Sequence, residues 1–304
     1  MHPHGERSLH KKDITGGSMA VCNVCFRHCD IKEGGRGFCG ARTCRNKQVV
    51  PGNYGRITSI ALDPIEKKPL NRFHPGSYVI SVGSFGCNLS CPFCQNHEIS
   101  WPEDLRRMEA ATDYLDPEEL AKIADRYRGQ GNIGVAFTYN EPLVGYEFVR
   151  DTAKAVHELG MLNVLVTNGT ASLEVLDEIS PYIDAMNVDL KGFTDRYYSE
   201  TLGGSRQMAM EFIEQAVKSC HVELTTLIVP GENDSEDEIR AMTEWVASLK
   251  NDVGEVIGPN VPLHISRFFP RFNMTDRPAT DVDLIYHLAD VAREKLRYVY
   301  TGNC

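Results

Sequence analysis

Residues 77–98 read SYVISVGSFGCNLSCPFCQNHE, an apolar β-branched run closed by Gly83 and followed by Cys87, Cys91 and Cys94 within eight positions. The run predicts a buried strand over 77–82, and the glycines and cysteines after it predict a loop. The same grammar recurs down the chain, with further strands expected at NIGVAF (132–137), MLNVLV (161–166), DAMNV (184–188), VELTTLIV (222–229) and VPLHIS (261–266). Helical periodicity fills the intervals: PEELAKIADRYR, the run from Leu143 to Leu159, SLEVLDEIS, MEFIEQAVKS and SEDEIRAMTEWVASL. Strands alternating with helices make a parallel sheet covered by helices. Six such units suit a partial (β/α)6 TIM-like barrel better than a closed barrel of eight.

The unusual residues fall at one place in every unit. The cysteine loop follows the first strand, TYNEP (138–142) the second, TNG (167–169) the third, DLK (189–191) the fourth, PGEND (230–234) the fifth and RFFP (267–270) the last. In a parallel barrel the carboxyl ends of the strands share one face, so these motifs should meet in one cleft. Asn, Asp, Gly and Pro make loops wherever they occur, which is sufficient for PGEND alone. It does not account for three crowded thiols.

Composition narrows what they do. The 304 residues carry a net charge of −10 with no basic run, which argues against nucleic acid and anionic membrane as partners. No apolar run approaches the roughly 18 residues of a membrane span, and no signal-peptide core opens the chain, so a cytoplasmic location is expected. Ten cysteines in that reducing setting point to metal or cluster ligation rather than disulfides. Cys87, Cys91 and Cys94 could hold zinc with a fourth ligand, His97 being nearest, or three irons of a [4Fe-4S] cluster with one iron left open.

The C-x-x-x-C-x-Φ-C loop, with Phe93 as its aromatic residue, resembles that of the radical S-adenosylmethionine enzymes. Together with YGRITSIALDPIEKKPL, TYNEP, VTNG, NVDLKGF, VPGENDSEDEI and HISRFFPRFNM, it is most similar to the group related to pyruvate formate-lyase activating enzyme, and within it to the AmmeMemoRadiSam radical enzyme. The resemblance implies that Cys87, Cys91 and Cys94 hold a [4Fe-4S] cluster and that its open iron binds S-adenosylmethionine. Reductive cleavage of the sulfonium then gives a 5′-deoxyadenosyl radical that abstracts hydrogen. It implies cofactor contacts by Phe93, Tyr139, Asn140 and Glu141, with the TYNEP segment lining the site for the methionyl amino group. Thr167 and Asn168 would lie under the ribose or methionyl portion, Asp189 and Lys191 on polar cofactor atoms, and His264 would reach in from the last strand. A reductant such as flavodoxin or ferredoxin and AmmeMemo partner proteins are the implied partners. The residue types suit the ligand without the family, because S-adenosylmethionine offers an ammonium, a carboxylate and hydroxyls to a carboxylate, a lysine and amides.

The chain also departs from its relatives. Glycyl-radical activases of the formate-lyase type carry Asp before Thr-Asn-Gly where this chain has Val166, so their cation site is not expected. The segment from Gln95 to Asp116 is too short for a ferredoxin-like insertion and lacks cysteine. Group relatives often run on into a cysteine-bearing tail, whereas this sequence stops at Cys304.

A second thiol set lies in VCNVCFRHCDIKEGGRGFCGAR. Cys22, Cys25, Cys29 and Cys39 can close a four-sulfur site, structural for zinc or electron-relaying for an iron-sulfur cluster; the spacing suits both. Cys44 is a spare ligand, His28 packs or faces water, and Cys220 reads as a small buried hydrophobe. Asp63, Glu66, Lys67 and Lys68 in DPIEKKPL form either a solvated charged loop or a border of the substrate site. The expected organisation is a flexible, tag-like leader over 1–18, whose His2, His4 and His10 are poor ligands on an unpacked tail, a four-cysteine module over 19–55, and the barrel over 56–304. Two other functions compete with an AmmeMemoRadiSam-type enzyme: a glycyl-radical activase, and a non-catalytic electron-transfer or metal-sensing protein.

Overall fold

The computed structural model describes residues 19–304; the leader over 1–18 lies outside the described residues. Its centre is one sheet of eight strands in sequential order: β1 (Ser59–Pro64), β2 (Tyr78–Gly83), β3 (Asn132–Phe137), β4 (Leu162–Thr167), β5 (Ala185–Asp189), β6 (His221–Ile228), β7 (Leu263–Arg267) and β8 (Val299–Gly302). Neighbours from β2 to β8 are parallel, and β1 adds an antiparallel edge, with Leu62 opposite Ile80. The six expected strands are present within one or two residues of their expected ends. The two outermost strands extend the expected sheet.

Helices α1 (Pro117–Arg126), α2 (Tyr146–Glu158), α3 (Leu173–Ile179), α4 (Arg206–Ala216), α5 (Glu236–Ala247) and α6 (Val282–Arg293) cover the outside. Their starts are written in the sequence. The Asp116 carboxylate accepts from the Glu119 N–H at 2.8 Å, with Pro117 in the first turn, and Ser235 accepts from the Glu238 N–H at 3.2 Å. Helix α6, absent from the sequence reading, buries Ile285, Leu288, Ala289 and Ala292 at helical spacing behind the Asp281 cap.

Strand alternation divides the core. Ile80, Val82, Val135, Phe137 and Leu165 face the helices, while Val79, Ala136, Val164 and Ala185 face the barrel interior. The interior is filled from below by residues 65–73, the continuation of β1. Ile65 and Leu70, both fully buried, pack on those four interior residues. Polar bonds fix the plug across the barrel: Asn71 and Arg72 donate backbone N–H groups to the Glu223 carboxylate of β6 at 3.0 and 2.7 Å, and Asn187 Nδ2 donates to the Pro69 carbonyl at 2.8 Å. DPIEKKPL is therefore a packed floor at Ile65, Lys68 and Leu70, while its Glu66 and Lys67 side chains face solvent.

Residues 19–55 form short antiparallel pairs, Met19–Val21 with Asp30–Lys32 and Arg42–Arg45 with Gln48–Pro51. The second pair turns through Asn46 and Lys47, both at positive φ, and the Glu33 carboxylate caps the turn by accepting both N–H groups. Cys22, Val24, Ile31 and Cys44 join the same apolar core as the helices, and Arg42 makes a two-oxygen ion pair with Glu147 of α2 at 2.7 and 2.8 Å. No helix among the described residues is long and apolar enough to cross a membrane.

Candidate active site

A cleft of about 470 Å³ opens at the carboxyl ends of the strands, within the size range of small-molecule sites. Cys87, Cys91, Phe93 and Cys94 line it from the loop after β2, and Tyr139, Asn140 and Glu141 from the end of β3. Thr167 and Asn168 enter from β4, and Asp189 and Lys191 from β5. Every residue expected at the cluster or cofactor except His264 is on this lining.

The cysteine loop starts with a turn only glycine can make. Gly86 has φ of +98°, and a Cβ there would lie 2.6 Å from the Cys39 carbonyl oxygen. Asn140 braces the approach, its Oδ1 accepting from the Ser84 N–H and its Nδ2 donating to the Gly86 carbonyl, both at 3.0 Å. Asn168 braces the loop from the other side, its Nδ2 donating to Asn88 Oδ1 at 2.9 Å and lying 3.8 Å from the Cys87 sulfur. Phe93 is buried edge-on to Phe268, with ring centres 6.1 Å apart. The His97 ring stacks on Phe272 at 4.3 Å and is not on the cleft lining.

Glu141 is the buried hinge of the site. Its carboxylate accepts from Thr167 Oγ1 at 2.7 Å, the Asn168 N–H at 2.8 Å and the Leu143 N–H at 3.0 Å, and burial still lifts its pKa to about 7. Asp189 and Lys191 pair at 2.8 Å on the lining, so they are both a local ion pair and part of the cleft. Burial opposes the Lys191 charge, but the neighbouring Asp189 outweighs it and holds the ammonium well above its ordinary range. Tyr139 holds a positive φ of 72°, a conformation costly for an aromatic residue, and its hydroxyl donates to Asp63 Oδ2 at 2.8 Å.

Two expectations are corrected. His264 does not reach the cleft: its Nε2 bonds Glu223 Oε2 at 2.7 Å and its ring stacks on Tyr300. Side chains on one strand face are two residues apart, and Ser266 occupies the higher position that lines the cleft. PGEND is more than a surface turn, since Asn233 is buried and donates its Nδ2 to the Lys191 carbonyl at 2.7 Å. Lys67 and Lys68 also line the cleft, as one of the two readings of DPIEKKPL had it, and Thr225, Leu227 and Asn303 line it without having been expected there. For the lysines the signal was their place in a charged segment between two apolar ends; the others had none.

Cys22, Cys25, Cys29 and Cys39 line one small pocket of their own, with Arg27 and Arg42. Cys44 lies outside it, with its thiol 3.7 Å from the Glu33 carboxylate. Arg27 joins the two thiol sets, donating from Nε to the Asn88 carbonyl at 2.7 Å and from a terminal nitrogen to the Gly203 carbonyl at 2.6 Å. Among the described residues no three Cys, His, Asp or Glu side chains already stand at the spacing of a single bound ion. The donor chemistry nevertheless fits iron and sulfur. Burial raises the Cys91 and Cys25 thiols to about 11 and Cys87 well above its usual value, so they stand as neutral thiols and would release protons on binding a metal.

A family model described as "Radical SAM superfamily" matches residues 81–245, from β2 through most of α5. The chain belongs to the radical SAM superfamily. Within it, an uncharacterized protein of Methanocaldococcus jannaschii is 40% identical over 93% of this chain and 80% of its own length. Pyruvate formate-lyase 1-activating enzyme of Escherichia coli is 29% identical over 55% of this chain and 67% of its own. The chain is thus a radical SAM enzyme of the group related to that activating enzyme, and the family implies a [4Fe-4S] cluster and S-adenosylmethionine. Streptococcus suis SuiB bound to S-adenosylmethionine shares the fold, with a TM-score of 0.55 at 13% identity over 72% of this chain and 48% of SuiB, so the chain spans about half of that protein's length.

Proposed function

We propose that Cys87, Cys91 and Cys94 hold the [4Fe-4S] cluster and that the cleft beside them binds S-adenosylmethionine for an AmmeMemoRadiSam-type reaction. The observation that carries this reading is the convergence of three thiols from one loop with Glu141, Asn168, Asp189 and Lys191 on one lining. Held by these three thiols, a reduced cluster would supply the one electron for reductive cleavage of S-adenosylmethionine, the chemistry that leads to hydrogen abstraction from a substrate. The protein's share is orientation and exclusion of water. Glu141 and the Asp189–Lys191 pair offer complementary partners for the methionyl ammonium and carboxylate, and Asn168 keeps the cluster loop in register with them. Residues 19–55 form a metal-binding module on the 56–304 barrel, with Cys22, Cys25, Cys29 and Cys39 as ligands of zinc or a second cluster.

A second reading is supported by relatives that are themselves activating enzymes, including the 4-hydroxyphenylacetate decarboxylase activating enzyme of Clostridioides difficile, 26% identical over 46% of this chain. On that reading the hydrogen comes from a partner protein's glycine. The anaerobically reconstituted, reduced protein should form 5′-deoxyadenosine, and Cys91→Ala should abolish it; full cleavage by the variant would overturn the cluster assignment. Stimulation by only the macromolecular fraction of a cell extract selects the activase reading. Stimulation by the small-molecule fraction selects metabolite chemistry.

A further inference from the structure

The floor of the cleft carries a buried charge that the cofactor reading leaves unused. Lys68 rises from the plug with its side chain only 4% exposed, and it lines the cleft. An ammonium has three donors. One goes to Asp63 Oδ2 at 2.8 Å, and the Tyr139 ring stands 4.8 Å away as a cation–π surface. Among the described residues no other oxygen takes the rest. Lys67, exposed on the same lining, lies 3.6 Å from the other Asp63 oxygen, so two ammonium groups share one carboxylate and the floor is left with an excess positive charge. Elsewhere on the lining Lys191 is matched by Asp189.

Burying a lysine with open donors is costly unless an acceptor arrives from outside the chain. Asp63 and Tyr139 make the arrangement rigid: the tyrosine hydroxyl and Lys68 both bond the same carboxylate oxygen, and the Tyr139 ring packs over Gly83, where a Cβ would lie 2.9 Å from it. We propose that Lys68, seconded by Lys67 and held by Asp63 and Tyr139, binds an oxyanion of the substrate, a carboxylate or a phosphate, at the floor of the cleft. The inference rests on the radical SAM reading of the cleft for calling this ligand the substrate. A backbone glycine offers no such charge, so the floor favours an acidic metabolite or an acidic side chain over a neutral glycyl loop.

The test is calorimetric titration of the reconstituted protein at low ionic strength, first with S-adenosylmethionine and then, at saturation, with succinate or with glycerol phosphate. Wild type should bind at least one probe, and the tighter of the two identifies the oxyanion. The double variant Asp63→Asn/Lys68→Met, which removes the pair without leaving a lone buried charge, should bind it at least tenfold more weakly, the loss expected for a charge-assisted hydrogen bond. Lys67→Gln, on an exposed side chain, should weaken it about threefold and flatten its salt dependence. Equal affinity in wild type and the double variant, no binding of either probe, or displacement of the probe by S-adenosylmethionine would each overturn the proposal. A protein that fails to bind S-adenosylmethionine but still shows Lys68-dependent probe binding would sink the cofactor reading and leave the anion site standing.

Discussion

Glu141 at the mouth of the barrel and Glu223 near its base are both shut off from water, yet their acidities move in opposite directions. Burial favours the neutral acid in each case. At Glu141 only a hydroxyl and two backbone N–H groups oppose it, and the carboxyl rises to about 7. At Glu223 burial is outweighed by His221 at 3.0 Å, His264 at 2.7 Å and the plug's N–H groups, and the carboxyl falls to about 2. The base is a finished polar layer that brings its own hydrogen-bond partners. The mouth has donors in place and leaves a positive partner to be supplied.

The contrast can be broken most directly at the base. Glu223→Leu strands two imidazoles and two N–H groups, and it should cost about 3–5 kcal/mol in denaturant unfolding; a variant as stable as wild type would show that the base is not a closed network. The next effect is on pH. Between its unfolded value near 4.5 and its folded value near 7, native Glu141 holds a proton that the unfolded chain has released. Its contribution is full below 4.5 and is lost as pH rises through 7, a drift on the order of 3 kcal/mol in the cluster-free protein. Glu223 acts in the other sense, contributing above 4.5 and losing that contribution as pH falls toward 2. Glu141→Gln should flatten the drift between pH 4.5 and 7 alone, and a melting profile indifferent to that substitution would remove the asymmetry. The smallest effect sharpens the idea that the mouth awaits a cation. Glu141→Gln should raise the dissociation constant of S-adenosylmethionine about tenfold, some 1.4 kcal/mol, measured by titration of the reconstituted protein; unchanged affinity would assign Glu141 to scaffolding.

Alternation and strand-end motifs were enough to find six strands and the residues that meet at their carboxyl ends, because a parallel barrel maps sequence position onto one face. Height within the barrel was less legible. His264 and Ser266 share a face, and nothing local says that the first lies under the second. The edge strand β1 escaped notice because its continuation looks charged and solvated. Lys68 is buried only because Asp63, five residues back, and Tyr139, from a different strand, meet it in space. Strand β8, four residues long, offered too short an alternation to stand out, and α6 was legible in its apolar spacing once the chain beyond RFFP is read as a seventh unit.

Gly86 has one more consequence. Its backbone comes so close to the Cys39 carbonyl that a single methyl group would have to displace residues of both thiol sets at once. A side chain at this position would therefore press on the Cys39 segment as well as on the Cys87 loop. The constraint lies in the backbone at position 39, so it would hold whatever side chain stood there, and the turn into the Cys87 loop and the path of the Cys39 segment can only change together.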